Sequence, residues 1–211
     1  RSRGLGDVYK RQTSSSVRRF SLPKQKLRRG FVAEAHWWAS SLREEMKVAS
    51  DAPLCPRKLA EHLEVKIIRL TQLPLLQERE LLLSRKAGCG FSAAACFEGL
   101  KAFIFLNDAN DPKRQASDIA HEIAHILLRH TPVNPFVPGG KREYSPTDEL
   151  EAETLGPALL VSEAAALRAY RLIQTRQHSL FSLSNEWMVT EDVIRWRMNA
   201  VGANKRVKLA A

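Results

Sequence analysis

The 211-residue chain has little cysteine, no long apolar run, and almost no surplus charge outside one end. No apolar stretch approaches the roughly 18 to 20 residues that span a bilayer, and no charged segment leads into a signal-like core. The three cysteines, Cys55, Cys89 and Cys96, are odd in number and fit no metal-ligand spacing. They read as reduced thiols, which makes a cytoplasmic protein the expectation and a disulfide framework unexpected. The formal charge of +10 suggests nucleic acid only until it is located along the chain. Residues 1–30 hold ten Lys/Arg against one Asp, whereas residues 31–211 hold 23 Lys/Arg against 22 Asp/Glu. The folded part is therefore nearly neutral, and direct nucleic-acid binding is not expected of it.

The first twelve residues do not begin with Met and show no apolar periodicity. They read as translated sequencing adapter, followed by a Ser-rich and then basic linker, so residues 1–30 are expected to be a disordered tail. If so, native sequence upstream of residue 13 has been lost. The main domain is expected over 31–203, with a frayed end from 204 to 211.

From Phe31 the pattern becomes helical: Phe31, Ala35, Trp38, Leu42 and Met46 recur on one face, which predicts a helix to about Ala49. Core packing is the expected use of Trp37 and Trp38. Pro56 to His62 reads as a short helix and Glu64 to Leu70 as a strand. A charged helical stretch around 75–85 and a Gly88–Gly90 turn follow. Phe91–Phe97 and Ala102–Leu106 then form two apolar runs around Glu98-Gly99-Leu100-Lys101, which predicts a β-hairpin.

Asp111-Pro112 supplies a polar cap and a proline at the first helical position, so a helix is expected from there to about Arg129. It carries His121-Glu122-Ile123-Ala124-His125 among Ile119, Ala120, Leu127 and Leu128. Two histidines four positions apart stack on one helix face, where both imidazoles can grip one metal ion. A glutamate between them lies on the adjacent flank, the place of the base that takes a proton from water activated by the metal. Glu122 is that candidate. Burying two histidines and a glutamate in an apolar helix is costly without partners, which favours a metal site over a chance match.

Residues 131–147, with four prolines and Gly139-Gly140, predict a loop bordering a substrate cleft. A second helix is expected from Thr147 or Asp148, with Glu149, Glu151 and Glu153 in its first turns. A three-ligand metal site needs one more protein group, which a downstream glutamate can supply. Glu149 and Glu153 are four apart, so one can bind metal while the other supports a histidine from behind. Pro157 lies inside this helix, clashes with the carbonyl of Glu153, and predicts a kink. Further helices are expected after Ser162, over Phe181–Met188 and after Thr190, the last two loosely like a helix-turn-helix but packing together rather than reading DNA.

Phe91-Ser-Ala-Ala, Asn107-Asp-Ala, Arg114 through Leu128, Glu149-x-Glu151-Ala152-Glu153-x-Leu155 and Ala158-Leu-Leu-Val161 together resemble the ImmA/IrrE family of metallo-endopeptidases. The resemblance implies an α+β, zincin-like metalloprotease domain. Its parts would be a small β-sheet with a hairpin, an active-site helix, an acidic ligand helix and a helical C-terminal part. It implies one Zn2+ per chain, or another divalent metal, held by His121, His125 and Glu149. Glu122 would be the general base and Glu153 would support a histidine, with Glu151 as the alternative third ligand. The implied substrate is a repressor-type transcription regulator carrying a helix-turn-helix. The alternative is a non-catalytic protein of the same fold that docks such a regulator. His130 recurs in such proteins and is read as structural, an imidazolium meeting exposed carbonyls at the helix end.

Overall fold

The computed structural model describes residues 26–74, 91–131 and 144–209. The expected tail over 1–25, Cys89, the helical stretch and glycine turn of 75–90, and most of the proline-rich loop lie outside these residues.

The element order is α1 (Phe31–Glu45), α2 (Pro56–His62), β1 (Lys66–Arg69), β2 (Ala93–Glu98), β3 (Lys101–Leu106), α3 (Pro112–Leu127), α4 (Pro146–Leu160), α5 (Glu163–Gln174), α6 (Leu180–Trp187), α7 (Glu191–Ala200) and α8 (Ala203–Leu209). The fold is α+β, as expected. The two apolar runs pair as an antiparallel hairpin from Ala93↔Leu106 to Glu98↔Lys101, and β1 joins β3 in parallel. The sheet order is thus β1-β3-β2, with β2 at an edge among the described residues. Joining β1 to the hairpin lets Ile104 and Leu106 be buried completely beneath α3.

The apolar stripe of α1 packs as its spacing predicts, with Phe31, Ala35 and Leu42 buried. Trp38 lies against this core, whereas Trp37 is 58% exposed and meets Trp38 edge-to-face at 4.9 Å. The core reading therefore holds for one tryptophan of the pair. One residue of helical rotation, about 100°, carries Trp37 off the buried face.

A second apolar cluster joins Leu160 and Val161 to α5, α6 and α7 through Ala165, Ala169, Leu183 and Ile194. The expected fraying after 203 gives way to α8 through Leu209. Ala203 is fully buried and Arg206 Nη2 lies 2.6 Å from Glu163 Oε1, so a packed residue and an ion pair hold the segment.

The boundary expected at Phe31 also moves. Leu27 packs on the main core, and Arg28 Nε donates to Glu151 Oε1 at 2.8 Å.

The C-terminal end of α4 sits on two buried arginines. Arg43 Nη2 donates to the carbonyls of Leu159 and Leu160, at 2.9 and 3.1 Å, and Arg197 Nε donates to Val161 O at 2.8 Å. Burial, with a smaller push from the neighbouring Arg197, draws the Arg43 guanidinium down to about 10. Leu160 O has a second donor in Leu54 N–H, but no donor other than Arg43 reaches Leu159 O among the described contacts. Arg43→Ala is expected to cost about 3 kcal/mol through an orphaned carbonyl and a cavity. Urea denaturation at pH 7 measures it, and a loss under about 0.5 kcal/mol, the level of an ordinary surface change, contradicts it.

A candidate metal centre between two helices

Helix α3 starts where its cap predicts: the Asp111 side chain accepts from Lys113 N–H at 2.9 Å and Pro112 occupies the first turn. Four residues of helical rise then bring the His121 and His125 rings to 4.7 Å between centroids, with their Nε2 atoms 3.0 Å apart.

Helix α4 starts one residue earlier than expected, capped by Ser145 with Pro146 in its first turn. It crosses α3 at Gly156, where a Cβ would lie 3.1 Å from both Cα and N of His121. Any side chain there would push the two helices apart by a few tenths of an ångström, so glycine suits this close approach. Glu149 precedes Gly156 by seven residues, almost two turns, and so shares its face within about 20°. Its Oε2 lies 3.3 Å from His121 Nε2 and 4.0 Å from His125 Nε2.

The candidate ligand atoms of His121, His125 and Glu149 all lie within 4.8 Å of one another. Zn–N and Zn–O bonds of about 2.0–2.1 Å at tetrahedral angles put ligand atoms roughly 3.3 Å apart. Two imidazole nitrogens and one carboxylate at these separations fit a single divalent ion.

Glu122 points to the other flank. Its side chain is 1% exposed, and Oε2 accepts the N–H of Ala95 on β2 at 2.7 Å. A buried carboxylate is thereby aimed by the backbone of the sheet edge.

Behind His125, Tyr144 stacks on the imidazole at 4.0 Å with planes 18° apart. Arg129 takes a left-handed conformation (φ 55°), and His130 N–H closes onto His125 O at 3.0 Å. This turn folds the His130 ring back along the helix. Its Nδ1 meets His125 Nδ1 at 2.9 Å, and its Nε2 faces Glu151 Oε2 at 3.4 Å and Asp148 Oδ1 at 3.7 Å. Ionised carboxylates only accept, so His130 donates from Nε2, and its Nδ1 shares a hydrogen bond with His125 Nδ1. A metal ion on His125 Nε2 would require that ring to donate from Nδ1, with His130 Nδ1 accepting.

A family model described as the IrrE N-terminal-like domain, a peptidase family, matches residues 63–199. The chain belongs to this family. No curated protein and no solved structure matches it. Membership supports a metallopeptidase-type function, and the matched span contains every residue of the centre described above. Helix α1 and Arg28 lie outside it.

Within this IrrE-like domain the three glutamates of α4 separate by direction. Glu149 faces the histidines. Glu153 lies about 60° round the helix from Gly156 and one turn beyond Glu149, and it is exposed. The expectation that it supports a histidine is not met. That contact belongs to Glu151, about 140° from Gly156, which is buried behind His130 and is not among the three converging groups. Supporting the ligand through a second histidine is what the sequence reading missed. Its signal was His130 five residues after His125, followed by a buried-face glutamate two residues from the ligand.

Pro157 does not end the helix. Helix α4 runs from Pro146 to Leu160, and Val161 N–H bonds Pro157 O at 2.9 Å. Proline removes its own N–H and crowds the Glu153 carbonyl, yet the helix continues through it, with Gly156 beside it at the close contact to α3.

Proposed function

We propose that the protein is a zinc-dependent endopeptidase that cleaves a repressor-type transcription regulator in the cytoplasm. The observation that carries this reading is the convergence of His121, His125 and Glu149 beside a buried Glu122. A bound divalent ion would acidify a water molecule and polarise the scissile carbonyl. Glu122 takes the proton of the attacking water and returns it to the leaving amine. The Ala95 N–H holds the carboxylate in place for both transfers.

Ala95 also indicates how a peptide lies. Its N–H points away from β3, so the edge of β2 borders the site. An extended substrate segment can pair along that edge and present its carbonyl above the histidines. The repressor class of substrate comes from the family resemblance of the sequence. The alternative, a docking protein of the same fold that does not cut, is favoured by Pro157 inside the ligand helix, and that helix continues through Pro157 to Leu160. No described helix is long and apolar enough to cross a membrane.

Protein purified without chelator or histidine tag is expected to carry about one zinc per chain, and His121→Ala and Glu149→Ala to carry almost none. Elemental analysis measures this. Zinc retained by Glu149→Ala would remove Glu149 from the ligand set, and a parent protein that takes up no zinc when it is supplied would sink the hydrolase reading.

A further inference from the structure

The contacts behind His125 do not end at Glu151. Its side chain is only 8% exposed, and a buried carboxylate needs a compensating charge. His130 Nε2 meets it at 3.4 Å and supplies one hydrogen bond. A permanent cation comes from outside the matched domain: Arg28 Nε donates to Glu151 Oε1 at 2.8 Å. Arg28 is held in turn by Glu34 Oε2, 2.6 Å from its Nη2, and by the Phe31 ring, 4.9 Å below its guanidinium. Gly30, at φ 85°, turns the chain so that Phe31 N–H bonds Arg28 O at 3.1 Å. That turn places the arginine over the start of α1 and against α4.

We propose that Arg28 is a positioning residue for the metal centre: by holding Glu151 it fixes His130, and through His130 the ring of His125. The segment just before α1 thus sets how tightly the centre holds its ion, although Arg28 touches none of the three ligands. The guanidinium has a fixed fork that reaches two carboxylates at once, Glu151 and Glu34, which orients it more firmly than a lysine ammonium would be. Glu151 without its cation is a buried, uncompensated charge that shifts toward solvent. His130 Nε2 then loses its nearer acceptor, and the ring orientation of His125 is no longer unique.

This inference rests on the metal reading above, and its test separates the two. Zinc affinity of the whole chain is measured by competition with a chromophoric chelator in the parent, Arg28→Met and Arg28→Lys. The visible spectra of the cobalt-loaded proteins and the thermal unfolding of the metal-free forms are recorded alongside. Methionine keeps the stem packing over Phe31 without the charge. The expected result is zinc bound about tenfold more weakly by Arg28→Met, the low end for residues that orient ligands. An altered cobalt spectrum should accompany it, and Arg28→Lys should recover part of the affinity. Equal zinc affinity in Arg28→Met and parent overturns the inference and leaves the metal centre standing. So does a weakening matched by Arg28→Lys with an unchanged cobalt spectrum, which would mean a general loss of packing. A parent that takes up neither metal overturns the metal reading, and the inference with it.

Discussion

Glu122→Gln is expected to lower kcat/KM for peptide cleavage about a thousandfold while the protein keeps its zinc. Glutamine is nearly isosteric, and its carbonyl oxygen can still accept the Ala95 N–H that now meets Oε2 at 2.7 Å. What it lacks is the capacity to take up a proton. General acid–base groups contribute about 10²- to 10⁴-fold, and Glu122 is proposed to serve both the attack and the departure of the amine, which places the loss near the middle of that range or above. The substitution also removes a buried charge, so the fold should be no less stable. Repressors carrying a helix-turn-helix are offered as substrates, with cleavage followed by mass spectrometry and metal content measured on the same samples. A variant that cleaves at the parent rate would remove Glu122 from the chemistry. A variant that loses zinc together with activity would show that its carboxylate shapes the ligand set instead.

The second large effect is expected at a residue with no functional group. Gly156→Val should destabilise the protein by about 3 kcal/mol, which for a domain of this size is a fall of roughly 6–12 °C in Tm. A Cβ at 156 would meet His121 Cα and N at 3.1 Å and Ala120 C at 3.2 Å. All three are backbone atoms of α3 that no rotamer change can move, so α3 and α4 must separate. Helix propensity pulls the other way, by about 1 kcal/mol for glycine to alanine. Gly156→Ala should therefore be nearly neutral to mildly destabilising, and the β-branched valine clearly worse. The displacement occurs at the His121 backbone and shifts Glu149 with α4, so zinc affinity should fall more than stability does. Thermal unfolding with and without zinc measures both. A valine variant as stable as the parent would mean that the two helices do not approach as closely as described.

Most of the elements were legible from local pattern. Pro56–His62 begins at a proline and ends where predicted, the hairpin turns at Gly99-Leu100, and α3 starts at its Asp111-Pro112 cap. Such features are decided within a few residues by capping, turn chemistry and apolar spacing. The end of the chain misled because α8 is held by Glu163, some 40 residues earlier, and its own sequence contains no strong cap.

At the candidate centre the division is the same. Local pattern established that His121 and His125 share a helix face, with Glu122 on the flank, because helical rise and rotation place residues of one helix relative to each other. It also determined that an acidic helix follows within reach. Which of Glu149, Glu151 and Glu153 meets the histidines, which stands behind His130, and which faces solvent follows from how the helices pack. Those roles depend on how α4 is rotated against α3, and Gly156 lies where the two helices come close. The placement of Arg28 against Glu151, across 123 residues of chain, follows from packing too. Periodicity specifies angles within one helix and is silent on the rotation of a second helix packed against it.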